Sequence, residues 1–330
     1  MSATPWSRAW RDASQEFWSS EQPSAHFTTS AGALVAERMA AILREVDAEL
    51  GHPETLDVVD IGCGDGALLS LVRDECADLI PRVRWTGVDM RPFEVDGVES
   101  LVAEAPGALP LGDVHGLVMA HEWLDEIPCD IVERDEDGID RLVLVDLRGV
   151  EVLGPPLTDD DACAEFGVDA GKVRSWLARW WPLDEPGDRA EVGIARDRAW
   201  QWMTGLLAEG TALATDYGHT HAERTARYRH GTLAAYASGC LVRPVPDGTA
   251  NLTAHVALDA CVAAVPGTTL TLQRDEITSA PLGAEPSAAD VERHFASLRL
   301  RDRNRLGAVG WLRWDARRDG LTPASTLPMW

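Results

Sequence analysis

The sequence predicts an α/β protein, a doubly wound and mostly parallel sheet of the Rossmann-like kind, with a β-meander and helical insertion and an N-terminal helical segment. Three observations carry that prediction. Short apolar runs rich in β-branched residues alternate with helical stretches at βαβ intervals. A glycine-rich turn, Asp60-Ile-Gly-Cys-Gly-Asp-Gly66, follows the first run. An acid, Asp89, closes the second.

Taken in order, residues 31–50 place Val35, Met39, Ile42, Val46 and Leu50 on one helical stripe, with Ser30 positioned to cap it. Leu56–Ile61 is a short apolar run rich in β-branched residues and stopped by glycines, the mark of a buried strand. Leu68, Leu69, Leu71 and Val72 give the following stretch its helix. Further strands are predicted at 83–88, more weakly at 98–102, and at 116–120. Beyond residue 129 the pattern changes. Three apolar segments, 131–133, 141–146 and 150–153, are separated by Asp-Gly and Arg-Gly turns and read as an antiparallel meander. From Thr158 to about Gly210 the pattern is helical, with Trp176, Trp180, Trp181, Trp200 and Trp202 clustered. Residues 211–216 form a fifth core strand and 270–273 a late one, and Trp311 and Trp314 fall in an expected C-terminal helix. The organisation is therefore 1–55, an N-terminal helical segment; 56–128, the first part of the α/β domain; 129–210, the insertion; and 211–330, the remainder.

Bulk properties narrow the function. The chain has 330 residues, 54 Asp+Glu against 30 Lys+Arg, and a net charge of −24. Such a surface repels phosphate backbones and anionic lipid, so neither nucleic acid nor a membrane is an expected partner. Lys172 is the sole lysine. Six scattered cysteines form no C-x-x-C pair, so no metal is expected, and they read as reduced core thiols of a cytoplasmic protein. No apolar h-region opens the chain, and no stretch approaches 18 apolar residues. His219, His221 and His230 lie in a polar stretch and read as surface histidines.

The glycine turn sits where open α/β sheets bind ligands, outside the carboxyl ends of the strands. Gly62, Gly64 and Gly66 let the backbone approach a ligand with no Cβ in the way, with Cys63 between them. Asp89, 23 residues after Gly66 and followed by Met90, is placed to accept both hydroxyls of a ribose. Gly62-x-Gly64-x-x-Ala67 also satisfies the dinucleotide fingerprint, so NAD and S-adenosylmethionine (SAM) both fit. Asp60 and Asp65 favour SAM, because a pyrophosphate gains nothing from carboxylates beside its loop. The plain alternative is a tight turn with no ligand.

After the fourth strand comes Met119-Ala-His-Glu-Trp-Leu-Asp-Glu-Ile-Pro128. Glu122 and Asp125 can grip a cationic or hydrogen-bond-donating acceptor, and His121 can take a proton. Alternatively, the acids cap a turn while Trp123 and Leu124 pack. Methyl transfer mainly requires donor and acceptor to be fixed at near-attack geometry, worth up to ~7–11 kcal/mol.

Five blocks in order resemble the MidA-like methyltransferases. They are His26-Phe-Thr-Thr-Ser30, Asp60–Gly66, Glu122–Pro128, Asp216-Tyr-Gly218, and Gly231–Tyr236 followed by Asn251–Val256. The resemblance implies a class I SAM-methyltransferase fold with an insertion, and a relative that methylates a protein arginine. It also implies that Thr28, Thr29 and Ser30 close over the cofactor and that Asp216, Tyr217 and His255 lie on the substrate side. The chain departs from the family pattern at His121 (usually Asn), at Asn251 and Ala257 (usually Asp), and at Trp6–Trp18, where a tyrosine- and glycine-rich stretch is usual. The expected function is a SAM-dependent methyltransferase acting on a protein side chain, arginine first. The competing readings are a small-molecule methyltransferase, a non-catalytic assembly factor that keeps SAM as a structural ligand, and an NAD-linked oxidoreductase.

Overall fold

The computed structural model describes residues 3–20 and 30–316. The chain begins with β1 (Thr4–Pro5), α1 (Trp6–Ser20) and α2 (Ala33–Glu49). Val35, Met39, Ile42 and Val46 of α2 are buried as the stripe predicts. The predicted cap is not used. Gly32 occupies the N-cap of α2 with no capping side chain, and Ser30 turns to Glu122 instead.

Strand β2 (Leu56–Ile61) leads through α3 (Ala67–Glu75) to β3 (Val83–Asp89), β4 (Glu99–Val102) and β5 (Val114–His121), all parallel. The antiparallel meander follows as β6 (Asp130–Arg134), β7 (Asp140–Val145) and β8 (Glu151–Pro156). Next come α4 (Asp160–Ala164), α5 (Ala170–Trp180), β9 (Arg189–Val192) and α6 (Ile194–Thr204). Strand β10 (Leu207–Asp216) returns to the central sheet beside β5. The remaining elements are β11 (Gly218–His219), α7 (His221–Arg227), β12 (Ala234–Ala237), β13 (Cys240–Val242), β14 (Asn251–Thr253), β15 (Val256–Ala257), α8 (Leu258–Ala264), β16 (Thr269–Leu272), α9 (Gln273–Glu276), α10 (Ala288–Arg301) and β17 (Gly310–Ala316).

The central sheet has the order β16-β17-β10-β5-β2-β3-β4, with β17 antiparallel to both neighbours. Because side chains alternate along a strand, Val58, Leu117 and Met119 pack with α2 and α3 on one face. Val59, Ile61, Val118 and Ala120 pack with α6 and α8 on the other. All six residues of β2 are buried, Asp57 and Asp60 included. Helix α1 packs Trp6 and Trp10 against Ile131, Val143 and Ala235.

Two expectations are corrected. The stretch read as helical contains β9, paired antiparallel with β6, because Ala190–Val192 complete that sheet while tryptophan-rich helices flank it. Trp311 and Trp314 lie on β17 rather than a helix. That strand sends Trp311 to one face of the sheet and Leu312 to the other, and its partner β10 is some hundred residues earlier in the chain. Among the described residues all six cysteines are free, and no helix is long and apolar enough to cross a membrane.

Candidate functional site

The cleft opens along the carboxyl ends of β2, β3, β5 and β10. Where β2 ends, Gly62, Gly64 and Gly66 take φ of 68°, 60° and 77°, a region that costs an L-residue roughly 1–2 kcal/mol. A Cβ on Gly62 would lie 2.6 Å from the Trp123 ring, so the loop also lies tight against the chain leaving β5. The N–H groups of Gly62 and Cys63 donate to the Val88 carbonyl, and that of Gly64 donates to Asp89 Oδ2 at 3.0 Å. The loop is thus zipped to the end of β3. Burial, reinforced by the charge of Asp89, pushes the Asp60 carboxyl up to about 8. Burial raises Asp89 too, although the N–H groups of Arg91 and Gly64 favour its charged form. The Cys63 thiol is pushed up by burial and then by Asp60, which leaves it unreactive. Met90 follows at the rim, 37% exposed.

The opposite wall starts at Glu122, a non-glycine residue held at φ 52°. Such a conformation persists only where its surroundings over-determine it. Here the Glu122 N–H donates to the Thr215 carbonyl, and Glu122 Oε1 accepts from the Ser30 N–H (2.8 Å) and hydroxyl (2.7 Å). Burial opposes its charge, but His121, 3.4 Å away, and the two Ser30 donors overcome that and hold it at about 2. His121 lies behind this carboxylate, with Nδ1 2.5 Å from Thr215 Oγ1 and Nε2 3.1 Å from Ser30 Oγ. Thr28 and Thr29 lie outside the described residues.

A cavity of ≈ 260 Å³ opens beside Glu122, lined by Asp125, Glu126, Tyr217, Tyr236, Gly239, Asn251, Thr253 and His255. Burial, and then the charge of Glu122, raise Asp125 to about 7. Burial, and then Asp125, raise Glu126 well above the usual range, and Glu126 accepts from Asn251 Nδ2 at 2.9 Å. Asp125 Oδ1 and Asn251 Oδ1 are buried acceptors with no partner. The His255 and Tyr217 rings face each other at 23° with centroids 6.3 Å apart. Burial, and then Arg196, lower His255 to about 4, so it is neutral at physiological pH.

Some predicted residues play other parts. His121 and Asp216 do not line the cavity. Asp216 Oδ2 accepts from the N–H groups of Leu124 (2.7 Å) and Asp125 (3.2 Å), holding the turn that presents Asp125. His219 is not a surface residue. It is fully buried, accepts from Arg224 Nε, and burial lowers its pKa. His221 and His230 are exposed. Glu126 and Tyr236 were not singled out, although both lie inside the blocks that carried the resemblance. Arg196 was missed outright, having no motif around it. It is 1% exposed and donates to the carbonyls of Asp125, Ile127, Ala254 and His255, joining the two walls of the cavity.

Comparison with known proteins shows the family. Residues 34–273 match the Methyltransf_28 family, S-adenosyl-L-methionine-dependent methyltransferases. The chain belongs to this MidA-like methyltransferase family. A Burkholderia thailandensis superfamily member crystallised with S-adenosyl-homocysteine superposes with a TM-score of 0.73 at 21% identity, over 96% of this chain and 89% of that one. A native crystal structure from the same organism gives 0.71 at 21% identity, over 96% and 88%. No curated protein matches the sequence. The residues of this methyltransferase fit the cofactor. Asp60, buried and proton-hungry, would gain a counter-charge from the ammonium of SAM's methionine end. The glycines let the loop turn at positive φ while Trp123 packs against Gly62 and Phe93 and Val95 against Gly66, and Asp89 beside them would accept from the ribose hydroxyls.

Proposed function

We propose that this methyltransferase modifies a protein at an arginine side chain. One observation carries the reading. Asp125 and Asn251 line a cavity beside the ionised Glu122, and each holds a buried oxygen, Oδ1, without a partner. Burying an acceptor unmet costs about 1–3 kcal/mol, so the site calls for a ligand rich in N–H donors. A guanidinium brings five in a planar fork and stays charged, which suits carboxylates and aromatic walls together. Tyr217, Tyr236 and His255 supply those walls.

When bound, SAM supplies an electrophilic methyl group. Glu122, fixed by Ser30 and His121, orients the guanidinium, and its charge attracts the cation into the cavity. Asp125, whose carboxyl sits near neutrality, takes the proton that the methylated nitrogen sheds. Asn251 holds Glu126 through Nδ2 and offers its Oδ1 to the substrate, which a family aspartate would do with a further charge. Free cysteines and the acidic surface support a cytoplasmic protein substrate and argue against nucleic acid.

The test incubates the protein with methyl-labelled SAM and a cell extract, then hydrolyses the labelled bands to amino acids. Label recovered in methylarginine is the expected result. Label confined to small molecules, or to another amino acid, would overturn the reading.

A further inference from the structure

The three-stranded sheet β13-β12-β14 forms one side of the acceptor cavity, and its register shows what lies at the cavity's mouth. Directly opposed residues of antiparallel strands project to the same face, with Cβ atoms about 4.5–5.5 Å apart. Asn251 opposes Tyr236, and Tyr236 opposes Leu241, so the three form one row across the sheet. The first two line the cavity. The neighbouring row, Leu252–Ala235–Val242, faces the other way, and its Leu252 and Ala235 are buried against Trp6 and Trp10. Leu241 therefore continues the cavity wall outward, and it is 69% exposed. Gly239, at the tip of the same hairpin, also lines the cavity. Among the described residues no strand pairs with the outer edge of β13, and all three of its residues are exposed.

We infer that this rim seats the polypeptide around the acceptor. An extended substrate segment lies along the free edge of β13, turns its cationic side chain inward past Gly239, and rests an adjacent apolar residue on Leu241. The inference builds on the arginine reading. Charge complementarity supports that occupant: the cavity carries the ionised Glu122, with Asp125 and Glu126 able to ionise beside a bound cation, so it draws one in, while an apolar rim discriminates among the cation's neighbours. An unpaired strand edge beside the cavity also supplies main-chain partners to an extended peptide, the recurring mode of strand addition.

The test measures kcat and KM at saturating SAM for two peptides, each with one central arginine flanked by leucine or by aspartate. The native enzyme is expected to favour the leucine peptide about tenfold in kcat/KM, the scale of burying one such side chain. Leu241→Arg, at an exposed position where folding is not at stake, is expected to reverse the preference through KM while kcat stays within about twofold. If both peptides are methylated and the substitution leaves their ratio unchanged, or the native enzyme shows no preference, the rim inference is overturned and the arginine reading stands. If the native enzyme methylates neither peptide, the arginine reading fails and takes the inference with it.

Discussion

On the glycine-loop side of the cleft, the groups that fit the cofactor come from residues 60–90, and hydrogen bonds within that stretch hold them. On the acceptor side, the groups come from 122–126, 217, 236–239 and 251–255, brought together from turns far apart in the chain. The first side is a backbone device. Three glycines in the left-handed region and one acid at a strand end build it, and few long-range contacts are needed. The second is a charge device, in which Glu122, Asp125 and Glu126 are held by hydrogen bonds to Ser30, Asp216 and Asn251, 92, 91 and 125 residues away. Arg196 and Asp216 bind those pieces from behind without entering the cavity. A local device tolerates drift elsewhere in the chain, whereas an assembled one depends on every strut.

The sharpest way to break this contrast is Arg196→Met. It orphans four carbonyls and removes the buried cation that faces Asp125 and Asp216 from α6. Urea unfolding should show a loss of about 3–5 kcal/mol, the scale of breaking a buried charged network. A loss no larger than that of a surface substitution would mean the walls hold together without it.

Asp125→Asn separates the two sides by function. Methyl transfer should fall about a hundredfold, the lower end for losing a general base. The calorimetric Kd for SAM should stay within about twofold. Equal loss of both would erase the division drawn above.

Gly62→Ala is the reciprocal experiment. Its Cβ would meet Trp123 at 2.6 Å and force alanine to φ 68°, so SAM should bind about tenfold more weakly. Unchanged affinity would show that the loop shifts freely.

The last test is pH dependence. Asp60 and Asp125 are raised in the folded state, to about 8 and about 7, above unfolded values near ~3.9. The folded protein therefore holds more protons than the unfolded chain, and stability falls as pH rises from ~4 through those values. Asp60→Asn should flatten that fall up to about pH 8, and Asp125→Asn up to about pH 7, in denaturant midpoints measured without ligand. A midpoint that rises over the same window would reverse the sign argued here.

Much of the fold was legible in the sequence because its signals are local. Leu56–Ile61, the glycine turn and Asp89 announce strand, loop and strand end through residues within 33 positions of one another. The Asp-Gly and Arg-Gly turns did the same for the meander. Signals failed where the deciding partner is remote. The tryptophans of β17 resemble a helical face until β10 is beside them, and Arg189–Val192 become a strand only because β6 offers an edge. His219 sits among polar residues yet is buried beneath Trp181 and Tyr228.

The sequence by itself determined the sheet class, the cofactor loop and the acidic character of the acceptor side, because glycine conformation and residue charge are properties a chain carries wherever it folds. Only the tertiary structure decided which acids face the cavity and which support it from behind. Burial and charge partners set a carboxyl's protonation and pairing, and both arise from packing between distant segments. The same packing put Arg196 between the walls and Leu241 at the rim, two residues with no motif to mark them.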